Sequence, residues 1–167
     1  MRRVAITGLG VVSPLGNDCA TFFDSLARGH SGIARLPAPA HAQTRAGNEV
    51  RDVQRTHIGG VVAFDGSRHF PAVRLRMLDR VSQFALVAAG EAVRDAGLTL
   101  AHTDRRRAGV FIGTGMGGAE TTDDGYFTLY AEGSERVKPY MVLLAMTNAA
   151  ASWIGLEYGF TRSEPSA

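Results

Sequence analysis

The chain has 167 residues, enough for one globular domain with a sizeable core. Its formal net charge of +2 and sequence pI near 9.0 create no global field that points to nucleic acid, so basic clusters matter only locally. Met1-Arg2-Arg3 is followed by only a short apolar run with no small-residue cleavage site, which indicates neither a signal peptide nor a membrane span and makes the cytoplasm the expected location.

In chain order, Val4–Thr7 reads as a short buried strand from its β-branched residues, and Gly8 and Gly10 after it mark a turn. A helix is expected from about Ala20 to Arg28. Ala38–Arg55 is rich in Ala, Arg, Gln and Pro with little periodicity and reads as a surface excursion; Val61–Phe64 is the nearest strand fragment. Leu78–Ala96 carries the clearest helical pattern. Val81, Phe84, Ala85, Ala88 and Ala92 recur at i, i+3, i+4 spacing opposite Arg80, Gln83, Glu91 and Arg94, and Gly97 supplies the stop. Arg105-Arg106-Arg107 reads as a solvated loop.

Ala108–Gly118 (Ala-Gly-Val-Phe-Ile-Gly-Thr-Gly-Met-Gly-Gly) runs from a buried strand into a glycine-rich turn whose backbone must approach something closely. Gly113, Gly115 and Gly118 satisfy G-x-G-x-x-G, the dinucleotide pattern. That pattern also needs a helix opening at the third glycine and a second strand ending in an acid about 20 positions on. Glu132 and Glu135 lie in a polar loop instead, which argues against a nucleotide site. Pro139–Phe160 is apolar all round with small residues about Asn148, so it is expected to be buried centrally or in a subunit interface. Asn148, Ser152 and Gly155 make it a poor membrane span.

Together, ITGLGVVSPLGN at the start, FFDSLARGHSGI, LDRVSQFALVAAGEAVRDAGL, GVFIGTGMGG and the run from Pro139 to Gly159 resemble, in order and spacing, the N-terminal part of a β-ketoacyl-acyl-carrier-protein synthase of the type I/II kind. The resemblance runs from Arg2 to about Phe160. It implies an α/β chain, the first half of the duplicated, layered α/β/α thiolase-like fold, with residues 1–167 as one domain ending just before the catalytic cysteine. It also implies a Claisen-type decarboxylative condensation in fatty-acid or polyketide synthesis.

Such enzymes attack an acyl thioester with a cysteine thiolate and decarboxylate malonyl-carrier protein with two histidines supported by a lysine. The single cysteine, Cys19, falls where the family has no catalytic group. His30, His41, His57, His69 and His102 all fall in turns or loops, none in the family's catalytic context. After Tyr158-Gly159-Phe160 the expected Gly-Pro turn and Thr-Ala-Cys motif are absent. No catalytic residue, metal site or cofactor is therefore assigned, and the chain alone is expected to be inactive.

The resemblance assigns Met116, inside the glycine turn, to the acyl-pocket wall, and Met141 to a position reaching toward a partner subunit's pocket. Arg74, Arg76, Arg136 and Lys138 fall on the rim where the family docks its acidic acyl carrier protein. A homodimer, or a heterodimer with a ketosynthase subunit, is the expected assembly. Two other functions stand beside the enzyme reading: a non-catalytic partner of the chain-length-factor kind, and a nucleotide-binding oxidoreductase.

Overall fold

The computed structural model of the chain describes residues 3–37, 45–46, 49–50, 57–99, 101, 104–134 and 138–160. The element that organises them is α3 (Arg80–Asp95), within two residues of the span expected from periodicity. Asp79 caps its first turn by accepting from the Val81 N–H, and Gly97, at φ +61°, lets the chain turn away after it.

The face of α3 that is fully buried differs from the expected one. Ser82, Leu86 and Gly90, spaced by four, are buried, and α3 packs against α6 (Ala149–Tyr158). The stripe of Val81, Phe84, Ala85 and Ala88 instead faces Gly10–Ser13 and the Phe22 ring. Apolar periodicity marked one side of a helix that is packed on two. Gly90 leaves room for a side chain of α6: a Cβ there would sit 3.3 Å from the Tyr158 hydroxyl. Phe70, Leu78, Leu86 and Ile154 form the buried core, with Leu75, Val110, Trp153 and Tyr158 packed around it.

Val4–Thr7 does not form the buried strand expected of it. No ladder includes it, and Val4 and Ile6 are 96% and 84% exposed. The backbone that follows bonds to carboxylates of α3 instead of to a neighbouring strand: the Leu9 N–H donates to Asp95 Oδ2 and the Val11 N–H to Glu91 Oε2, both at 2.9 Å. Gly8 and Gly10 are needed for this approach, because a Cβ on either would run into the carbonyl oxygen of Ala92 or Ala88. They serve close packing, not only a turn. Ala108–Ile112 also lacks a ladder, and Phe111 is 79% exposed.

The earlier part of the chain holds α1 (Cys19–Ala27), capped by Asp18 and within one residue of its expected bounds. Next come β1 (Ile33–Arg35), β2 (Arg45–Ala46), β3 (Glu49–Val50) and β4 (Ile58–Gly60). β1 and β4 pair antiparallel, with Ile33 opposite Gly60 and Arg35 opposite Ile58, while β2 pairs with β3. The strand expected at Val61–Phe64 therefore lies earlier, at β4. Most of the expected excursion Ala38–Arg55 lies outside the described residues. A short α2 (Ala72–Leu75) leads into α3.

Beyond α3, α4 (Ala119–Tyr126) runs into a π-helical turn, Phe127–Ala131. Pro139–Phe160 is two helices, α5 (Met141–Ala145) and α6, because Met146 at ψ 134° takes the chain out of helix. Leu144, Ala149, Ala150 and Ile154 are buried, whereas Val142, Leu143 and Leu156 face outward. The segment is apolar all round but buried on one side only. Among the described residues, no helix is long and apolar enough to cross a membrane.

Candidate functional site

The glycine-rich loop is where backbone approaches backbone. A Cβ on Gly117 would lie 2.8 Å from Thr147 Cα and 2.9 Å from Met146 O, and one on Gly118 would collide with Ala145 Cα and Leu144 O. Gly118 also has φ +54°, a left-handed conformation that glycine adopts without steric cost. Gly113 and Gly115 meet nothing within 4 Å. The close approach predicted from the sequence is therefore to the α5–α6 junction, and among the described residues it involves only the last two glycines.

Between this loop and that junction lies a cleft of about 710 Å³, lined by Val110–Thr114 on one side and Thr147, Asn148 and Ala151 on the other. Its lining mixes apolar side chains with two threonines and an asparagine. That composition suits an alkyl chain attached to a polar head. A second, more apolar cleft of about 480 Å³ lies between Gly10–Ser13, Phe22 and the outer stripe of α3.

A helix does open at the third glycine, as a phosphate site would require, but its N-terminus is closed by a carboxylate. Buried Asp79 accepts from the Thr121 N–H at 3.3 Å and from the Thr121 hydroxyl at 2.5 Å, both through Oδ2. An anion placed there would meet a negative charge and lose the amide that Asp79 already holds. Glu132 follows the π-helical turn rather than a strand, and Glu135 lies outside the described residues. Among the described residues, the dinucleotide pattern has no ribose partner.

Cys19 sits at the start of α1 with its N–H donating to Glu91 Oε1 at 2.7 Å. Desolvation pushes its thiol up from the ordinary range, and the hydrogen bond and charge of Glu91, then the charges of Asp95 and Asp18, push the same way. Three carboxylates around a helix start reverse the effect that activates nucleophilic cysteines. His30, His57 and His69 are exposed, His69 stacked on Phe64 with ring centroids 5.1 Å apart, while His41 and His102 lie outside the described residues. Among the described residues no group of His, Cys, Asp and Glu could hold a metal ion.

The residues singled out from the sequence are dispersed. Met116 is 62% exposed and Met141, at the start of α5, is half-buried; neither lines the 710 Å³ cleft. Arg74 is engaged within the chain, its Nη2 lying 2.6 Å from Glu157 Oε2, with the Phe70 and Trp153 rings 5.5 and 5.8 Å from its guanidinium carbon. Arg76 is exposed, Lys138 stands 3.7 Å from Asp124, and Arg136 lies outside the described residues. Sequence reasoning missed Asp79, Thr121 and Glu91. An acid directly before a helical pattern is a capping signal that would have found Asp79, whereas helical periodicity puts Glu91 opposite the apolar stripe of α3 and gives no sign that it bonds the Val11 and Cys19 amides.

Comparison with known proteins gives a consistent result. The family described as "Beta-ketoacyl synthase, N-terminal domain" matches residues 1–162. The "3-oxoacyl-[acyl-carrier-protein] synthase 2" of Staphylococcus aureus (strain COL) is 35% identical over 159 residues, 95% of this chain and 36% of that protein. The protein of the same name from Coxiella burnetii (strain RSA 493 / Nine Mile phase I) is 35% identical over 160 residues, 94% of this chain and 36% of its own length. The chain thus spans about a third of the length of these relatives.

Among solved structures, "The ishigamide ketosynthase/chain length factor" superposes with a TM-score of 0.76 at 25% identity, covering 94% of this chain and 37% of that one. A type II PKS acyl-carrier protein in complex with its ketosynthase bound to the hexaketide gives 0.69 at 22% identity, over 96% of this chain and 40% of that one. A beta-ketoacyl synthase from Burkholderia phymatum STM815 gives 0.69 at 24% identity, over 95% of this chain and 37% of that one. The fold is thiolase-like α/β.

Proposed function

The chain belongs to the beta-ketoacyl synthase family, as its N-terminal domain, and we propose that it forms the N-terminal part of a 3-oxoacyl-[acyl-carrier-protein] synthase. The reaction is a decarboxylative condensation. Malonyl-carrier protein loses carbon dioxide, and the carbanion left behind attacks the thioester carbonyl of the acyl chain, forming the new carbon–carbon bond as the thiolate leaves.

In this reading the chain supplies the acyl-chain cleft and the docking rim, and the nucleophile comes from elsewhere in the enzyme. The observation that carries it is the glycine-rich loop, packed through Gly117 and Gly118 onto the α5–α6 junction so that a 710 Å³ cleft opens beside it. Met116 belongs to the wall of this chain's acyl pocket, and Met141 reaches toward the pocket of a partner subunit. Arg76 and Lys138, with Arg136 and the more engaged Arg74, attract the acidic carrier protein. Dimerisation, with a second copy or with a ketosynthase subunit, and a cytoplasmic location belong to the same proposal.

Cys19, with its thiol pushed up among carboxylates, supports the expectation that this chain alone forms no acyl-enzyme. A second reading, a non-catalytic subunit of the chain-length-factor kind, is supported by the superposition on the ishigamide ketosynthase/chain length factor. Incubating the complete synthase that contains this segment with acyl- and malonyl-carrier protein tests both. Condensation product from the complete protein and none from this chain is the expected result. A complete protein that forms product only when mixed with an active ketosynthase identifies the partner subunit, and turnover by this chain alone overturns both readings.

A further inference from the structure

The carboxylate of Asp79 does two separate jobs with its two oxygens. Oδ1 accepts from the Val81 N–H at 3.0 Å and caps α3, while Oδ2 accepts from both the amide and the hydroxyl of Thr121, 42 residues away in the first turn of α4. Both residues are buried, at 6% and 8% exposure, so the bonds are shielded from water. Among the described residues, the loop that precedes Thr121 has few other contacts. Gly113 and Gly115 touch nothing through the Cβ direction, Met116 projects outward, and only Gly117 and Gly118 pack on the α5–α6 junction. Among the described residues, two anchors stand out: that backbone packing and the tie from Thr121 to Asp79.

We propose that Asp79 and Thr121 are positioning residues for the glycine-rich wall of the cleft and, through it, for the length of acyl chain the site accepts; the second part rests on the acyl-pocket reading above. The tie also joins two parts of the proposed site. Asp79 follows the Arg74–Arg76 segment of the docking rim, and Thr121 follows the Met116 loop.

Thr121→Val removes the hydroxyl bond to Oδ2 and leaves Oδ1 on the α3 cap. By amide hydrogen exchange of this chain, the Thr121 and Thr122 amides, which donate to Asp79 Oδ2 and Gly118 O, should exchange about tenfold faster, the cost of one lost buried hydrogen bond, with Val81 and Gln83 unchanged. Thr121→Ser should restore the slow exchange. Unchanged loop exchange in Thr121→Val overturns the proposal, as does an equal rise through α3 and α6, which would report only lost global stability.

The complete condensing enzyme gives the second measurement. Met116→Phe should cut off the longest acyl chains and Thr121→Val should broaden the range of lengths accepted. An effect of Met116→Phe with Thr121→Val silent overturns this inference alone. A silent Met116→Phe overturns the pocket reading and, with it, the claim on chain length, while the exchange result still decides whether the loop is positioned by the tie.

Discussion

Arg74 reaches from α2 to Glu157 on α6, its Nη2 lying 2.6 Å from Oε2, and the guanidinium is flanked by the rings of Phe70 and Trp153. The ion pair is partly solvated, so its Coulombic share is below about 1 kcal/mol, and the ring contacts add about 0.5–1 kcal/mol each. Arg74→Ala should therefore lower stability by roughly 1–2 kcal/mol in urea titrations, and Glu157→Gln by less. Arg76 is exposed, so Arg76→Ala should weaken carrier-protein binding with no change in Tm. Equal loss of binding and no loss of stability in both arginine variants would show that Arg74 is free to dock and does not brace the fold.

Cys19 provides a pH test. Burial and the neighbouring Glu91, Asp95 and Asp18 raise its pKa, so at any pH near the ordinary thiol range it carries less thiolate than an unperturbed cysteine. Alkylation by iodoacetamide should be slower than in the urea-unfolded chain at pH 8, and the rate should keep climbing at pH values where the unfolded chain has levelled off. The corresponding stability is present below the unfolded pKa and declines as pH rises through the folded one. Fast alkylation at pH 7 would contradict the arrangement of carboxylates around α1.

The four loop glycines should respond in two classes. Gly117→Ala drives a Cβ into the Met146–Thr147 backbone, and Gly118→Ala adds a left-handed φ to a collision with Leu144 and Ala145; each should cost roughly 2–4 kcal/mol. Gly113→Ala and Gly115→Ala point into open space and should be tolerated in this chain. Thermal melts of the four variants separate the classes. A uniform loss would mean that all four glycines serve one turn, and that the packing on the α5–α6 junction is not what fixes the loop.

Val142, Leu143 and Leu156 form an outward apolar face on α5 and α6. If that face is an assembly surface, the chain should sediment as a species larger than a monomer, and Leu156→Lys should shift it toward monomer without changing its circular dichroism. Trp153, half-buried beside Arg74, should keep its emission in Leu156→Lys, because its burial arises within the chain. Wild-type protein that sediments as a monomer at high concentration would remove the assembly reading.

Local chemistry in the sequence placed α1 and α3. The 3.6-residue period and the Gly97 stop placed α3, the apolar helix before Arg28 placed α1, and glycine density between Gly113 and Gly118 located the loop that frames the cleft. The ordered blocks from ITGLGVVSPLGN to Tyr158-Gly159 identified the family, because a family signature resides in residue identity and spacing. Which face of α3 is buried was a tertiary decision. Gly90 makes room for Tyr158 of α6 beside the Leu86–Ile154 contact, and no apolar period records that. Nor does a β-branched run carry its partner: Val4–Thr7 reads as a strand, yet a strand needs a neighbour to ladder with, and the following backbone bonds to Glu91 and Asp95 instead. The tie between Asp79 and Thr121 joins residues 42 positions apart, so only the folded chain brings that carboxylate to the helix end that a sequence pattern had offered to a phosphate.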